Sequence, residues 1–133
     1  MFIEWNSINS VNVKEIDIQH KILISIINRL DDVKNTGNKE AIRGFLDELK
    51  DYAHFHFATE EKYFTRFSYP AATEHKTEHA VYAEKIDEFE KKYKHDGAEA
   101  IGELLIFLRS WWINHINSTD MQYSEFFNDH GLF

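Results

Sequence analysis

At 133 residues the chain has the length of one domain and enough of it to bury a real core. Its formal net charge of −8 argues against nucleic acid and anionic membrane surfaces as partners, and the lack of cysteine excludes disulfides, thiolate metal sites and a catalytic thiol. A hydrophobic share of 43% is ordinary, but an aromatic share of 15% with eleven Phe is rich, and five Gly with one Pro favour long uninterrupted helices.

Met1 to Asn12 has no helical period and no apolar signal core. Phe2, Ile3, Trp5 and Ile8 are apolar enough to lie on a core, so the segment is expected to be an ordered arm. The longest apolar runs, such as Leu104 to Leu108, are far too short to cross a bilayer. A cytoplasmic protein, monomeric and with no membrane partner, is the expectation.

A first helix is predicted from about Val13 to Lys34, with Ile16, Leu23, Ile24, Ile27 and Leu30 on one stripe and His20 inside it. Asp17 and Gln19 flank His20; Asp17 is placed to orient it, or both lie on a solvated face. Asn35-Thr36-Gly37-Asn38 ends this helix and offers Asn38 as the next N-cap. The second helix, about Lys39 to Arg66, carries the stripe Phe45, Leu49, Tyr52, His56, Glu60, Tyr63 and Phe67. Ser68-Tyr69-Pro70 ends it, and Pro70 suits the first turn of the third helix. That helix, about Pro70 to Lys94, has the seam Ala72, His75, His79, Tyr82, Ile86, Phe89 and Tyr93. Asp96, with Glu99 three residues later, predicts an N-cap and capping box for the fourth helix. The fourth, about Gly97 to Asn117, leads from Ile101, Leu104 and Leu108 through Trp111 and Trp112 to His115. Tyr123, Phe126 and Phe127 then cap the core from a short terminal helix. The fold class is all-α: an up-down-up-down four-helix bundle with an N-terminal arm and a short C-terminal helix, one domain spanning residues 1–133.

The inward polar residues carry the chemistry. His56 and Glu60 are four apart, as are His75 and His79. Four residues turn a helix through about 400°, so each pair stacks on one face. Asp120 lies five after His115, about 140° away on a regular helix, so both reach one centre only if the helix ends or bulges between them, near Asn117-Ser118-Thr119. A lone histidine on an apolar stripe is usually a hydrogen-bonded core residue. Here five histidines and two carboxylates point inward, and burying them costs several kcal/mol unless something pairs them all. Imidazole with carboxylate is a ligand set for iron, zinc or copper. His54, about 200° from His56, faces out, and His95 and His130 fall in a turn and the tail. Glu61 falls off the stripe, toward solvent or behind the ligands. Two other readings fit less well. His75-Lys76-Thr77-Glu78-His79 matches the H-x-x-E-H pattern of some zinc proteases, but leaves His20, His56, Glu60, His115 and Asp120 unexplained. A ferritin-like carboxylate site uses Glu-x-x-His pairs, and no histidine here has Glu three before it.

Ile16-Asp17-Ile18-Gln19-His20-Lys21 with Asn28 and Leu30, His56-Phe57-Ala58-Thr59-Glu60-Glu61, Tyr69-Pro70 with His75 and His79, and Trp111-Trp112-Ile113-Asn114-His115-Ile116 with Asp120 and Tyr123 together resemble the hemerythrins, in their single-domain bacterial form. Trp5 fits as well, and the resemblance covers essentially the whole chain. It implies a non-haem di-iron centre that binds O2 reversibly, and no enzyme. His75, His79 and His115 would hold one iron and His20 and His56 the other. Glu60 and Asp120 would bridge them beside an oxo or hydroxo group. If each iron takes about six ligands, the second is one short, and O2 enters there. Trp112 and Ile116 would line that pocket. The family usually has Leu where Trp112 stands, so the pocket's shape is the point of departure. The same centre also suits an enzyme reducing peroxide or nitric oxide, or a sensor, although no transducing domain accompanies it.

Overall fold

The computed structural model describes residues 2–133. Four long helices follow one another: α1 (Lys14–Val33), α2 (Lys39–Phe67), α3 (Ala72–Asp96) and α4 (Ala98–Trp111). A π-helical segment (Trp112–Thr119), a 3₁₀ turn (Asp120–Tyr123) and a short α5 (Ser124–Asp129) continue from α4. Consecutive helices pack on each other and α1 meets α4, which closes the expected up-down-up-down bundle.

Local chemistry sets most boundaries. The Asn38 side chain accepts from the Ala41 N–H at 3.1 Å, the predicted N-cap of α2. Ser68 leaves α2 in the left-handed region, φ 56°, and the Tyr69 N–H closes back on the Phe64 carbonyl at 2.9 Å. This reversal holds Pro70 in a turn, where the Ala72 N–H reaches the Tyr69 carbonyl, so α3 starts two residues later than predicted. The capping box at Asp96 is also absent. Gly97 makes the reversal at φ 55°, so α3 runs through Asp96 and α4 begins without a side-chain cap.

The arm is ordered, as expected over its described part; Met1 lies outside the described residues. Asn28 on α1 accepts from the N–H groups of Phe2 and Ile3 and donates to the Ile3 carbonyl. Asp17 accepts from Ser10 Oγ and the Val11 N–H, which anchors the arm where it enters α1 and corrects the idea that it orients His20. Ile8 is 83% exposed, contrary to the sequence reading, because the turn Ser7–Asn9 turns Asn9 inward instead, to donate to Asn117 Oδ1.

The buried apolar residues form two clusters. One joins Leu23, Ile27, Leu49, Tyr52, Phe57, Tyr82, Leu108 and Trp112; the other joins Ile16, Tyr63, Phe64, Tyr69, Tyr123 and Phe127. On α1 and α2 the polar inward residues fall between members of the two: His20 between Ile16 and Leu23 on α1, His56 and Glu60 between Tyr52 and Tyr63 on α2. The bundle thus has a polar layer across its middle, sealed by apolar packing on both sides.

Candidate metal centre

All seven predicted inward residues are in that layer. His20, His56, Glu60, His75, His79, His115 and Asp120 are each at most 4% exposed. The outward controls are outward: His54, His95 and His130 are exposed. The donor atoms of the seven buried residues fall into two groups, Glu60 with His75, His79 and His115, and His20 with His56, Glu60 and Asp120. Asp120 spans both: Oδ1 lies 2.9 Å from His75 Nε2 and 3.0 Å from His115 Nε2, and Oδ2 lies 3.0 Å from His20 Nε2. Glu60 Oε1 is 3.0 Å from His79 Nε2 and 3.3 Å from His56 Nε2.

The backbone explains how Asp120 reaches this layer. The Asp120 N–H donates to the His115 carbonyl, an i to i−5 bond of the π-helical segment. The wider turn brings residue i+5 above residue i. That is the irregularity the His115–Asp120 spacing demanded, placed from Trp112 to Thr119 where the sequence indicated only its last three residues.

Close as they are, these nitrogens and oxygens lack the alignment of hydrogen bonds. The Nε2 atoms of all five histidines, Glu60 Oε1 and both oxygens of Asp120 are buried without a hydrogen-bond partner. Buried polar atoms left so are rare and costly. Here they converge on two common points, and a cation at each would satisfy them together. Five imidazoles and two carboxylates are borderline donors, suited to iron, zinc or copper. The residues fit a metal centre.

The far side of three of the five rings shows how they are held, while His20 Nδ1 and His75 Nδ1 are buried without a hydrogen-bond partner. His56 Nδ1 lies 2.6 Å from Gln19 Oε1, His79 Nδ1 lies 3.0 Å from Glu61, and His115 Nδ1 lies 2.9 Å from Glu78. An Nδ1–H donated outward leaves the Nε2 lone pair facing the centre. Gln19 is buried, which corrects its reading as a solvated neighbour of His20, and Glu78 plays a part the sequence did not reveal. Both partners sit on a different helix from their histidine, so no spacing along the chain exposes them. Glu61 belongs to the alternative in which it stands behind the ligands. Aromatic rings pack the same imidazoles: Phe57 on His79 with centroids 3.7 Å apart, Trp111 on His115 at 4.0 Å, and Tyr52 on His56 at 5.2 Å. Tyr123 donates its hydroxyl to Glu60 Oε2 and stacks on His75.

With protein groups alone, the charges split. Burial lowers His56 to about 4. Burial also opposes charge on His75, but Asp120 and Glu60 beside it win and raise it to about 10. Glu60 and Asp120 are both held below the carboxylate range, because the surrounding histidines outweigh burial and mutual repulsion. A cation would take over the place of those protons.

Residues 11–127 match the hemerythrin HHE cation-binding domain family. The bacteriohemerythrin of Methylococcus capsulatus is 35% identical, covering 84% of this chain and 86% of that protein. The bacteriohemerythrin of Clostridium acetobutylicum is 32% identical over 92% of this chain and 98% of its own length. The crystal structure of wild-type hemerythrin superposes with a TM-score of 0.86 at 32% identity, covering 94% of this chain and 97% of that one. With a four-helix bundle, a buried histidine–carboxylate layer and a family match across nearly its whole length, this chain belongs to the hemerythrin HHE cation-binding family.

Proposed function

We propose that the chain holds two non-haem iron ions and binds O2 reversibly, as a carrier or store of oxygen and not as an enzyme. His75, His79 and His115 would hold one iron, His20 and His56 the other, with Glu60 and Asp120 between them. The observation that carries this reading is the inequality of the two donor groups. Both share the carboxylates, but one has three imidazoles and the other two. If the pair also shares one oxo or hydroxo oxygen, the first iron would reach about six ligands and only the second would keep room for an added one. The metal pair supplies the electrons with which O2 is held.

The chain's own residues would keep that position dry and short of protons. Trp112, 5% exposed, stands edge-on to His20 with centroids 6.3 Å apart, and Trp5 from the arm packs behind it at 6.1 Å. Ile116, 1% exposed, belongs to the same apolar cluster. Burial pushes the hydroxyls of Tyr52 and Tyr123 well above the ordinary phenol range, so both keep their protons at neutral pH. Binding without turnover needs this shortage of acid.

The test is anaerobic reduction, then O2, followed by optical spectroscopy and a peroxide assay. The expected result is a coloured oxygenated species that reverts under vacuum without peroxide. Immediate irreversible oxidation with peroxide release, or turnover of peroxide or nitric oxide, would favour the enzyme instead.

Trp112→Leu in the same assay tests the pocket wall. It keeps every proposed ligand and removes ring volume, at a typical cost of about 1–3 kcal/mol in a core that partly refills. Iron content should stay at two while O2 release and autoxidation both accelerate, because water and anions reach the open position more easily. Unchanged rates with a lowered melting temperature would assign Trp112 to packing alone.

A further inference from the structure

The groups behind the histidines are distributed unevenly, and the unevenness follows the division into two donor groups. In the three-histidine group, His79 and His115 each meet a carboxylate, Glu61 and Glu78, and His75 Nδ1 has no partner. In the two-histidine group, His56 meets the neutral amide of Gln19, and His20 Nδ1 has no partner. The amide cannot turn over without loss. Thr59 Oγ1 donates to the Phe55 carbonyl at 3.1 Å, so it must accept from Gln19 Nε2, also at 3.1 Å. That fixes Gln19 Oε1 toward His56 as an acceptor without charge. Glu78 is fixed as well, since Thr119 Oγ1 donates to it at 2.9 Å.

We infer that Gln19 and Glu78 are positioning residues that set the two iron sites to different reduction potentials, with the two-histidine site the easier to reduce. This rests on the two-iron reading above. A carboxylate accepting Nδ1–H draws the proton away and makes the imidazole a stronger donor, which favours the ion of higher charge. An amide does so weakly. The site backed by Glu61 and Glu78 would therefore hold Fe3+ more firmly, and the site backed by Gln19 would accept the first electron from an external one-electron donor, Fe3+ + e− giving Fe2+ at His20 and His56. The ferrous state then starts on the side with the open position. Only the electron is transferred; every ligand stays.

The experiment is a mediated spectroelectrochemical titration under argon, with iron content measured first. The wild type should take up its two electrons in separate one-electron steps. Gln19→Glu should lower the upper potential and Glu78→Gln should raise the lower one. Each change closes the gap on the order of tenfold in equilibrium constant, or about 59 mV for one electron. A merely structural role predicts iron loss, or a shift in one common direction, and not opposite shifts that converge. Should Glu78→Gln lose iron, Glu61→Gln replaces it with the same expected direction; should Gln19→Glu lose iron, Gln19→Met, which removes the acceptor, must raise the upper potential and leave the lower one in place, so that the gap widens. A wild type that holds no iron overturns the two-iron reading itself. A two-iron wild type that takes both electrons in one step, or whose variants each move both potentials alike or neither, overturns this inference alone.

Discussion

Replacing His79 by alanine should strip metal from the protein and lower its melting temperature, whereas His54→Ala should do neither. The two residues are chemically alike and differ in where they point. His79 Nε2 lies 3.0 Å from Glu60 Oε1 in the buried layer, and its ring stacks on Phe57. Truncation removes a donor, leaves a cavity beside Phe57 and releases the other polar groups from their common partner. Core truncations of this kind cost roughly 2–5 kcal/mol before any loss of bound metal is added. For a chain of this length each kcal/mol moves the melting temperature by about 2–8 °C. His54 is solvent-exposed and makes no such contact. Metal analysis and thermal melts on both variants decide the matter. Similar behaviour of the two would refute the inward assignment of α2.

Metal removal should make the protein sensitive to alkali. In the stripped chain His75 is raised from its ordinary 6.5 to about 10 by Asp120 and Glu60. A histidine held charged in this way adds stability that is complete below its unfolded value and is lost as pH rises through the folded one. The melting temperature of stripped protein should therefore fall between about pH 6.5 and 10. His56 works oppositely: burial lowers it to about 4, so stability also declines from pH 6.5 down toward 4, as the unfolded chain takes a proton that the native chain refuses. Stripped protein should be most stable near pH 6.5. Loaded with metal, His75 would coordinate as the neutral ring and no longer depend on its proton, so the alkaline decline should vanish. Melting curves of chelator-treated and loaded protein across this range check it. A stripped protein indifferent to alkali would mean that His75 is not held between these carboxylates.

The bundle and its polar layer were legible because helical periodicity reports which face a residue occupies. His20, His56, His75, His79 and His115 fell on apolar stripes, and His54 fell off one. The irregularity after His115 was legible as arithmetic, since five residues cannot bring Asp120 over His115 on a regular helix. Its form was not: the π-helical segment begins at Trp112, upstream of the histidine, and only the backbone bond from Asp120 to the His115 carbonyl defines it. Periodicity names a face but not the partner across it. Gln19 and Glu78 therefore passed unrecognised, although each orients a histidine from a neighbouring helix. The N-cap at Asn38 held and the one at Asp96 did not, because a glycine next in line supplied the reversal at positive φ. Ile8 shows the weakness of hydrophobicity alone in a short segment: the buried member of its turn is Asn9, fixed by a hydrogen bond to Asn117.

If the seven buried side chains hold a pair of irons, metal analysis of protein expressed with iron present will show it. Two iron atoms per chain are predicted, lost together on chelation. One zinc per chain and no iron would mean that these side chains hold no iron pair.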